Sequence, residues 1–272
     1  MSGDWALAVL GDPITHSRSP ELHRAGLAAI GLDGRSEALR TSAAAFPGRL
    51  AELRGFGFRG ANLTRPLKTV ALRHLDRVSE TARRARSVNT IGIGAEGVWG
   101  DTTDGAGFVD LLVSRERVPA RERVLLLGAG GAARSLALAL LEAGCPSVTV
   151  AARDPRRAGV DWSHIPGATL RPFPEDTEAG GIAEDVTVVV NCTPLGGTAG
   201  PCPPETLHAG VLVIDLVYGA EVTPWVRAAR ACGLEAIDGL GLLVHQARRS
   251  LERWTGRDVP VEPLARAVGW PR

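Results

Sequence analysis

Lysine is almost absent from this chain. Of its 31 basic residues only Lys68 is a lysine, and the rest are arginine. A compositional bias accounts for most of the exchange, because alanine, glycine and arginine are all plentiful. Arginine keeps its charge at any workable pH, so it cannot trade a proton. Lysine can, once its surroundings lower its pKa. The single retained lysine is therefore a candidate acid/base. The alternative is one lysine left by chance on a solvated helix face.

Other shortages exclude whole classes of function. The four cysteines, Cys145, Cys192, Cys202 and Cys232, include no CxxC pair. They read as reduced, mostly buried thiols of a cytoplasmic protein rather than a disulfide framework. The six histidines show no HExxH-like spacing, so no metal site is expected. Formal net charge is +1. No strongly basic face follows, so neither nucleic acid nor membrane is an expected partner. No apolar run approaches the length of a membrane span, and Met1–Trp5 lacks a basic leader. There is no internal repeat and no low-complexity tract. What remains is 44% apolar and 22% charged residues over 272 positions. That is an ordinary globular balance, enough for a sizeable core and roughly two domains.

Short apolar strands alternate with helical stretches. Strands are expected at Trp5–Leu10, Glu37–Arg40, Phe58–Leu63, Ser87–Ile93 and Val98–Gly100. Ser19-Pro20 reads as an N-cap followed by proline at the first helical position, with Gly31 ending that helix. Further helices are expected over Ala43–Arg54 and Pro66–Leu75. A second unit opens near Arg123. Val124–Leu127 is continuously apolar, as in a parallel strand buried on both faces. The helix Ala132–Ala143 follows, then strands at Ser147–Ala151, Val186–Asn191 and Val211–Leu216. This βαβ alternation predicts right-handed crossovers and a doubly wound sheet. Pro172–Gly181 and Thr198–Pro204 read as surface loops. An amphipathic helix, Leu242–Trp254, and a short tail follow.

Gly128-Ala129-Gly130-Gly131-Ala132-Ala133 lies between a buried strand and a helix, the setting that the GxGxxA dinucleotide fingerprint requires. Gly128 allows the tight turn, Gly130 lets a pyrophosphate approach, and Ala133 lets helix and strand pack closely. The helix N-terminus offers N–H groups and a positive dipole end to phosphate. The second strand ends at Ala152-Arg153-Asp154-Pro155-Arg156-Arg157. An acidic residue there suits the ribose 2′-hydroxyl of NAD, and arginines suit the 2′-phosphate of NADP. Both kinds are present.

Seven motifs in order carry a resemblance over nearly the whole length. They are Gly11–Ile14 with His16–Pro20, Gly60–Lys68, Ser87–Thr90, Gly100–Gly105, the glycine loop, Asp215–Tyr218 and Asp238–Gln246. Together they resemble the shikimate dehydrogenase family. The resemblance implies two α/β domains with a cleft between them. The substrate-binding domain would be residues 1–103 with 238–272, and the Rossmann-like NADP-binding domain residues 104–237. It implies reduction of 3-dehydroshikimate to shikimate with NADPH, in aromatic amino-acid biosynthesis. Lys68 and Asp104 resemble the catalytic pair. Ser17 and Ser19 resemble the hydroxyls that hold the substrate carboxylate, Ser19 having the N-cap role as its alternative. Thr64, Asn89, Tyr218 and Gln246 resemble the groups that bind the ring hydroxyls. Asn62 resembles a neighbouring site residue, or it holds the loop. Around the cofactor the resemblance points to Gly128, Ala129, Gly130, Gly131, Ala132, Arg153, Asp154, Arg156 and Arg157, with Glu80, Leu216 and Gly239 nearby.

The chemistry fits these residue types. Ketone reduction needs a hydride on carbon and a proton on oxygen. An ammonium within hydrogen-bond reach can stabilise the developing charge and then protonate it. Two positions depart from the family pattern: Thr102 stands where asparagine is usual, and Ala152-Arg153-Asp154 where Asn-Arg-Thr is usual. The second leaves NAD open as the cofactor. The competing readings are an NAD-preferring quinate/shikimate dehydrogenase and a catalytically dead cofactor-binding regulatory protein. A monomer or homodimer is expected.

Overall fold

The structure is a computed structural model that describes residues 4–173, 185–197 and 200–272. The chain divides into two compact units, residues 1–107 with 243–271, and residues 108–242 with Arg272. The dividing points fall inside two helices, a few residues past the positions 103 and 238 expected from the motifs.

In the first unit the strands are β1 (Trp5–Gly11), β2 (Gly34–Arg40), β3 (Gly60–Leu63), β4 (Arg77–Val78), β5 (Thr90–Gly94) and β6 (Gly97–Asp101). Their order is β2-β1-β3-β5-β6-β4. β1 runs parallel to β2 and β3, whereas β5 runs antiparallel to β3 and β6. The helices are α1 (Ser19–Ala29), α2 (Phe46–Gly55), α3 (Leu67–Val70), α4 (Glu80–Ala85) and the start of α5 (Asp104–Ser114).

Successive strand residues point to opposite faces, and here the two faces differ in kind. Ala61, Leu63 and Ile91 join Ala6, Ala8 and Leu10 in a core closed by Phe46, Leu50 and Leu53 of α2. Asn62, between two of those residues, must face the other way. It sits opposite Thr90 in the β3–β5 register, and both are buried. The sheet thus has a dry apolar face and a buried polar one.

In the second unit β7 (Arg123–Leu127), β8 (Ser147–Ala152), β9 (Ala168–Pro172), β10 (Val188–Asn191), β11 (Leu212–Asp215) and β12 (Glu235–Ile237) form an all-parallel sheet, ordered β12-β11-β10-β7-β8-β9. The helices are the rest of α5, α6 (Gly131–Glu142), α7 (Pro155–Trp162) and α8 (Pro224–Ala231). Strand order reverses between β7 and β10, and a ligand crevice of such a sheet lies at the carboxyl ends of those strands. β7, β10 and β11 are mostly apolar and buried on both faces, as continuous runs should be. The chain then forms α9 (Leu240–Thr255) and α10 (Val261–Val268), the latter packed on α1.

Several expectations are corrected. Ser19 is the first helical residue rather than the cap; Arg18 occupies that position without a side-chain cap bond. The helix expected over Pro66–Leu75 is the single turn α3 followed by a 3₁₀ turn, Ala71–Arg73. Asn89 precedes β5 instead of lying within it. The tail after α9 contains α10. Of the expected loops, Pro172 closes β9, and residues 174–181 and 198–199 lie outside the described residues.

Leu126 is wholly buried in the middle of β7. Leu126→Ala should cost about 2–5 kcal/mol of stability. Denaturant unfolding followed by circular dichroism measures it, and a cost within error of zero would contradict a packed parallel core.

Candidate active site

Lys68 is the second residue of α3, just past the Thr64–Pro66 loop that leaves β3. Its main-chain carbonyl accepts from Val88 N at 2.8 Å, which ties the loop to the segment before β5. Its Nζ donates to Asp104 Oδ2 at 2.5 Å. Asp104 opens α5 and its side chain is 6% exposed, against 22% for Lys68. The carboxylate is thus inside and the amine at the edge.

Asn89 supplies the other contact to Asp104. Thr103 N, an unambiguous donor, points at Asn89 Oδ1 at 2.8 Å. That bond fixes the amide orientation. Asn89 Nδ2 therefore donates to Asp104 Oδ1 at 2.8 Å and to Gln246 Oε1 at 3.0 Å. Gln246 in turn donates through Nε2 to Leu243 O at 3.0 Å. The turn before Asp104 is held by Asp101, which accepts from Thr102 N at 2.8 Å and from Ser79 Oγ, and pairs with Arg253.

Asn62 lies behind this group, and its side chain is fully engaged. Oδ1 faces His23 Nε2 at 2.7 Å. The two N–H bonds of Nδ2 are shared among Asn89 O, Thr90 Oγ1 and Ser250 Oγ, at 2.9, 3.0 and 2.9 Å. With 4% exposure and these four contacts, its side chain fits the loop-holding reading. His23, Thr90, Thr103 and Ser250 belong to the same cluster and were not singled out from the sequence. His23 is wholly buried, edge-on to Trp254 at 5.2 Å.

The remaining candidates fall in both units. In the first, Ser17 and Thr64 are half-buried, and Ser19 is buried with its hydroxyl not used as a cap. Ser17 Oγ accepts from Ser19 N at 3.4 Å. Glu80 also belongs to the first unit, where it is exposed and paired with Arg83 at 2.9 Å. Tyr218 is half-buried in the second unit, three residues beyond β11. Asp215, at the end of β11, holds that segment. It is buried and accepts from Asn191 Nδ2, Val217 N and Thr223 Oγ1 at 2.8, 3.0 and 2.6 Å. Burial raises its carboxyl pKa, and these three hydrogen bonds oppose the rise.

The glycine loop fits a dinucleotide. Gly128 has φ +112°, and a side chain there would meet Thr193 Cγ2 at 2.9 Å. Beside Gly130, the residue before α6, no atom lies within 4 Å of where a Cβ would stand, and no side chain caps the helix. Open ground before an uncapped helix N-terminus suits a pyrophosphate. Gly131 and Ala132 form the first turn of α6. Trp162 Nε1 donates to Ala129 O at 3.1 Å, so the last residue of α7 holds the glycine loop. At the other end of α7, Arg153, Arg156 and Arg157 are exposed, and Asp154 is the cap, its Oδ1 accepting from Arg157 N at 3.0 Å. Leu216 is half-buried, and Gly239 packs against it: a Cβ would stand 2.3 Å from Leu216 O. Gly239 is thus a close-approach position. Among the described residues no His/Cys/Asp/Glu group could hold a metal, and no helix is long and apolar enough to cross a membrane.

The chain is similar to known proteins over nearly its whole length. Residues 9–91 match the shikimate dehydrogenase substrate binding domain, and residues 239–268 the shikimate 5′-dehydrogenase C-terminal domain. The chain is 40% identical to the shikimate dehydrogenase (NADP(+)) of Rhodospirillum rubrum, over 96% of this chain and 95% of that one. The chain belongs to the shikimate dehydrogenase family. A crystal structure of shikimate 5-dehydrogenase from Thermus thermophilus, in complex with NADP(H) and shikimate, superposes with TM-score 0.86 at 37% identity, covering 97% and 98% of the two chains. The ligand-free 5-ketofructose reductase of a Gluconobacter strain superposes with TM-score 0.84 at 26% identity, over 98% of each chain.

The buried histidine gives a pH test. Burial, with a smaller contribution from the Arg24 charge, pushes the His23 pKa down from 6.5 to about 4, against the Asn62 hydrogen bond. Below pH 6.5 the unfolded chain takes up a proton that the folded chain refuses. Stability from this group is complete above that pH and is lost as pH falls toward 4. Between pH 7 and pH 5 the loss should be about 2 kcal/mol. Urea unfolding at both pH values checks it. His23→Gln should remove about that much of the pH dependence, and an unchanged dependence would contradict the assignment.

Proposed function

We propose that this chain catalyses the reversible NADPH-dependent reduction of 3-dehydroshikimate to shikimate. The observation that carries the reading is the Asn89–Asp104–Lys68 chain of contacts. It presents the only lysine, at the edge of a buried polar cluster, beside residues suited to a small polyhydroxy acid.

NADPH, when bound to the glycine loop, supplies the hydride that ketone reduction needs. The protein's own groups do the rest. Ser17 and Ser19 bind the substrate carboxylate. Thr64, Asn89, Tyr218 and Gln246 bind ring oxygens. An ammonium has three N–H donors, and Asp104 accepts one of them, so Lys68 has others to offer the substrate oxygen. As negative charge develops on that oxygen, Lys68 stabilises it and transfers a proton, which completes the alcohol. In the reverse direction the Lys68 amine accepts the proton that leaves the shikimate hydroxyl. Asn89 and Asp104 keep the amine in place through both directions. The product differs from the substrate by one hydride and one proton, so the equation balances with no further reactant.

The Arg153 corner supports NADP over NAD. Three exposed guanidinium groups stand at the start of α7, where a 2′-phosphate would find both positive charge and the dipole end. The Asp154 carboxylate, the one feature that would favour NAD, has its Oδ1 engaged as the helix cap.

Lys68→Ala should lower kcat by about 10²–10⁴-fold with little change in KM for shikimate. An amine-acylating reagent should inactivate the enzyme at Lys68, and shikimate should protect it. Retention of more than half the wild-type kcat would remove Lys68 from the mechanism. Arg153→Ala should reduce the ratio of kcat/KM for NADP to that for NAD. Asp154→Thr keeps a capping oxygen, loses the negative charge and should raise the ratio. Initial rates at saturating shikimate decide it, and a wild type faster with NAD would make the quinate/shikimate reading the leading one.

A further inference from the structure

The buried polar face of the first sheet carries more groups than the reaction needs. His23 on α1, Ser36 on β2, Asn62 on β3, Thr90 on β5 and Ser250 on α9 all bury polar atoms there. None of them bonds to Lys68, whose side chain is held by Asp104. Burying five such groups is costly unless every one is bonded, and a partly satisfied network is worse than an apolar core. This network is satisfied, and its bonds have a direction.

The direction follows from two fixed donors. Thr103 N–H sets the Asn89 amide, as described above. Asn62 Nδ2 donates to the main-chain carbonyl of Asn89 at 2.9 Å, which sets the Asn62 amide with Oδ1 toward His23. A carboxamide oxygen can only accept, so His23 Nε2 carries the hydrogen. His23 Nδ1 then accepts, and Ser36 Oγ–H donates to it at 2.8 Å. The run Ser36 → His23 → Asn62 → Asn89 → Asp104 ends on the carboxylate that holds Lys68. Ser250 braces it from α9, accepting from Asn62 Nδ2 and donating to Gln246 O at 3.0 Å. Gln246 is the other side-chain carbonyl to which Asn89 Nδ2 donates.

We propose that His23 is a positioning residue for proton transfer: its Nε2–H, 2.7 Å from Asn62 Oδ1, locks the amide relay that sets Asn89 and Asp104 against Lys68. Without that donor, Asn62 Oδ1 is a buried acceptor with no partner. The amide gains by rotating, and its N–H bonds to Asn89 O, Thr90 and Ser250 go with it. Asn89 O then keeps only its Leu63 N donor, at 2.7 Å, and loses the one that sets it against the polar layer. Asp104 moves by a fraction of a bond length, and proton transfer is sensitive to displacements of that size. Of the substrate-binding groups, Asn89 and Gln246 touch the relay, whereas Ser17, Ser19, Thr64 and Tyr218 lie outside it and continue to carry most of the binding. The fault should therefore appear in kcat far more than in KM.

The inference rests on Lys68 and Asp104 being the acid–base pair, but one arm of its test does not. In the full-length wild type, ¹⁵N-edited NMR of the histidine rings at pH 7 should show His23 as the neutral Nε2–H tautomer. An Nδ1–H tautomer or an imidazolium overturns the proposal whatever the activity. The second arm compares His23→Leu, which removes the donor, with His23→Gln, whose amide N–H can reach the same place. With shikimate and NADP, His23→Leu should lose roughly tenfold to a hundredfold in kcat. KM for shikimate should stay within about threefold, and His23→Gln should recover most of the loss. A leucine variant with wild-type kcat, a loss confined to KM, or a glutamine variant as slow as the leucine one overturns it. If the leucine variant does not fold, Ser250→Ala, which removes one hydroxyl from the same relay, is read by the same split between kcat and KM. Failure of Lys68→Ala to lose activity would count against the assigned chemistry, while the tautomer measurement would still judge the relay.

Discussion

The hydrogen bond from Thr103 N to the Asn89 side-chain oxygen governs the arrangement of the first unit's site. It is short and comes from a main-chain donor, so it leaves the Asn89 amide a single orientation. Everything polar around it then has a fixed role. Asp104 receives an N–H on one oxygen and the Lys68 ammonium on the other. Gln246 must present its carbonyl to Asn89. A carboxylate held on both oxygens keeps a fixed place beside the lysine.

Much of this was readable in the sequence where the cause is local. β7, the glycine loop and α6 are consecutive, and each is specified by its neighbours: an apolar run, a glycine forced to positive φ and a helix of alanines and leucines. Lys68 and Asp104 were legible through their motifs. The polar relay was not. His23 and Ser250 look like ordinary residues on amphipathic helices, and 188 positions separate Ser250 from Asn62. Only strand order and register bring them together.

Asn62 shows the same limit from the other side. A motif places it next to the candidate site residues but does not say which way its side chain points. Pleating decides that: with Ala61 and Leu63 in the apolar core, Asn62 must enter the polar layer, where His23 and Ser250 occupy it. The shortest strands escaped for a related reason. β4 has two residues, Arg77 and Val78, and takes its conformation from pairing with β6. Ser19 was misread as a cap because serine before proline has the right local chemistry, although the helix starts one residue earlier. The correction matters, since an unused hydroxyl can bind a ligand.

The retained lysine has a last consequence, in proteolysis. A lysine-specific endoprotease has one cleavage point in the whole chain, the Lys68–Thr69 bond. That bond lies in a helical turn, with the Lys68 carbonyl bonded to Val88 N and the side chain engaged by Asp104. Cutting requires this turn to open, because a protease needs extended backbone. The rate of that single cut is therefore a clock for opening of the turn that carries Lys68. A ligand that seats itself against Lys68 would slow the clock in proportion to its occupancy. Binding could then be followed on the unmodified protein, with no turnover and no label.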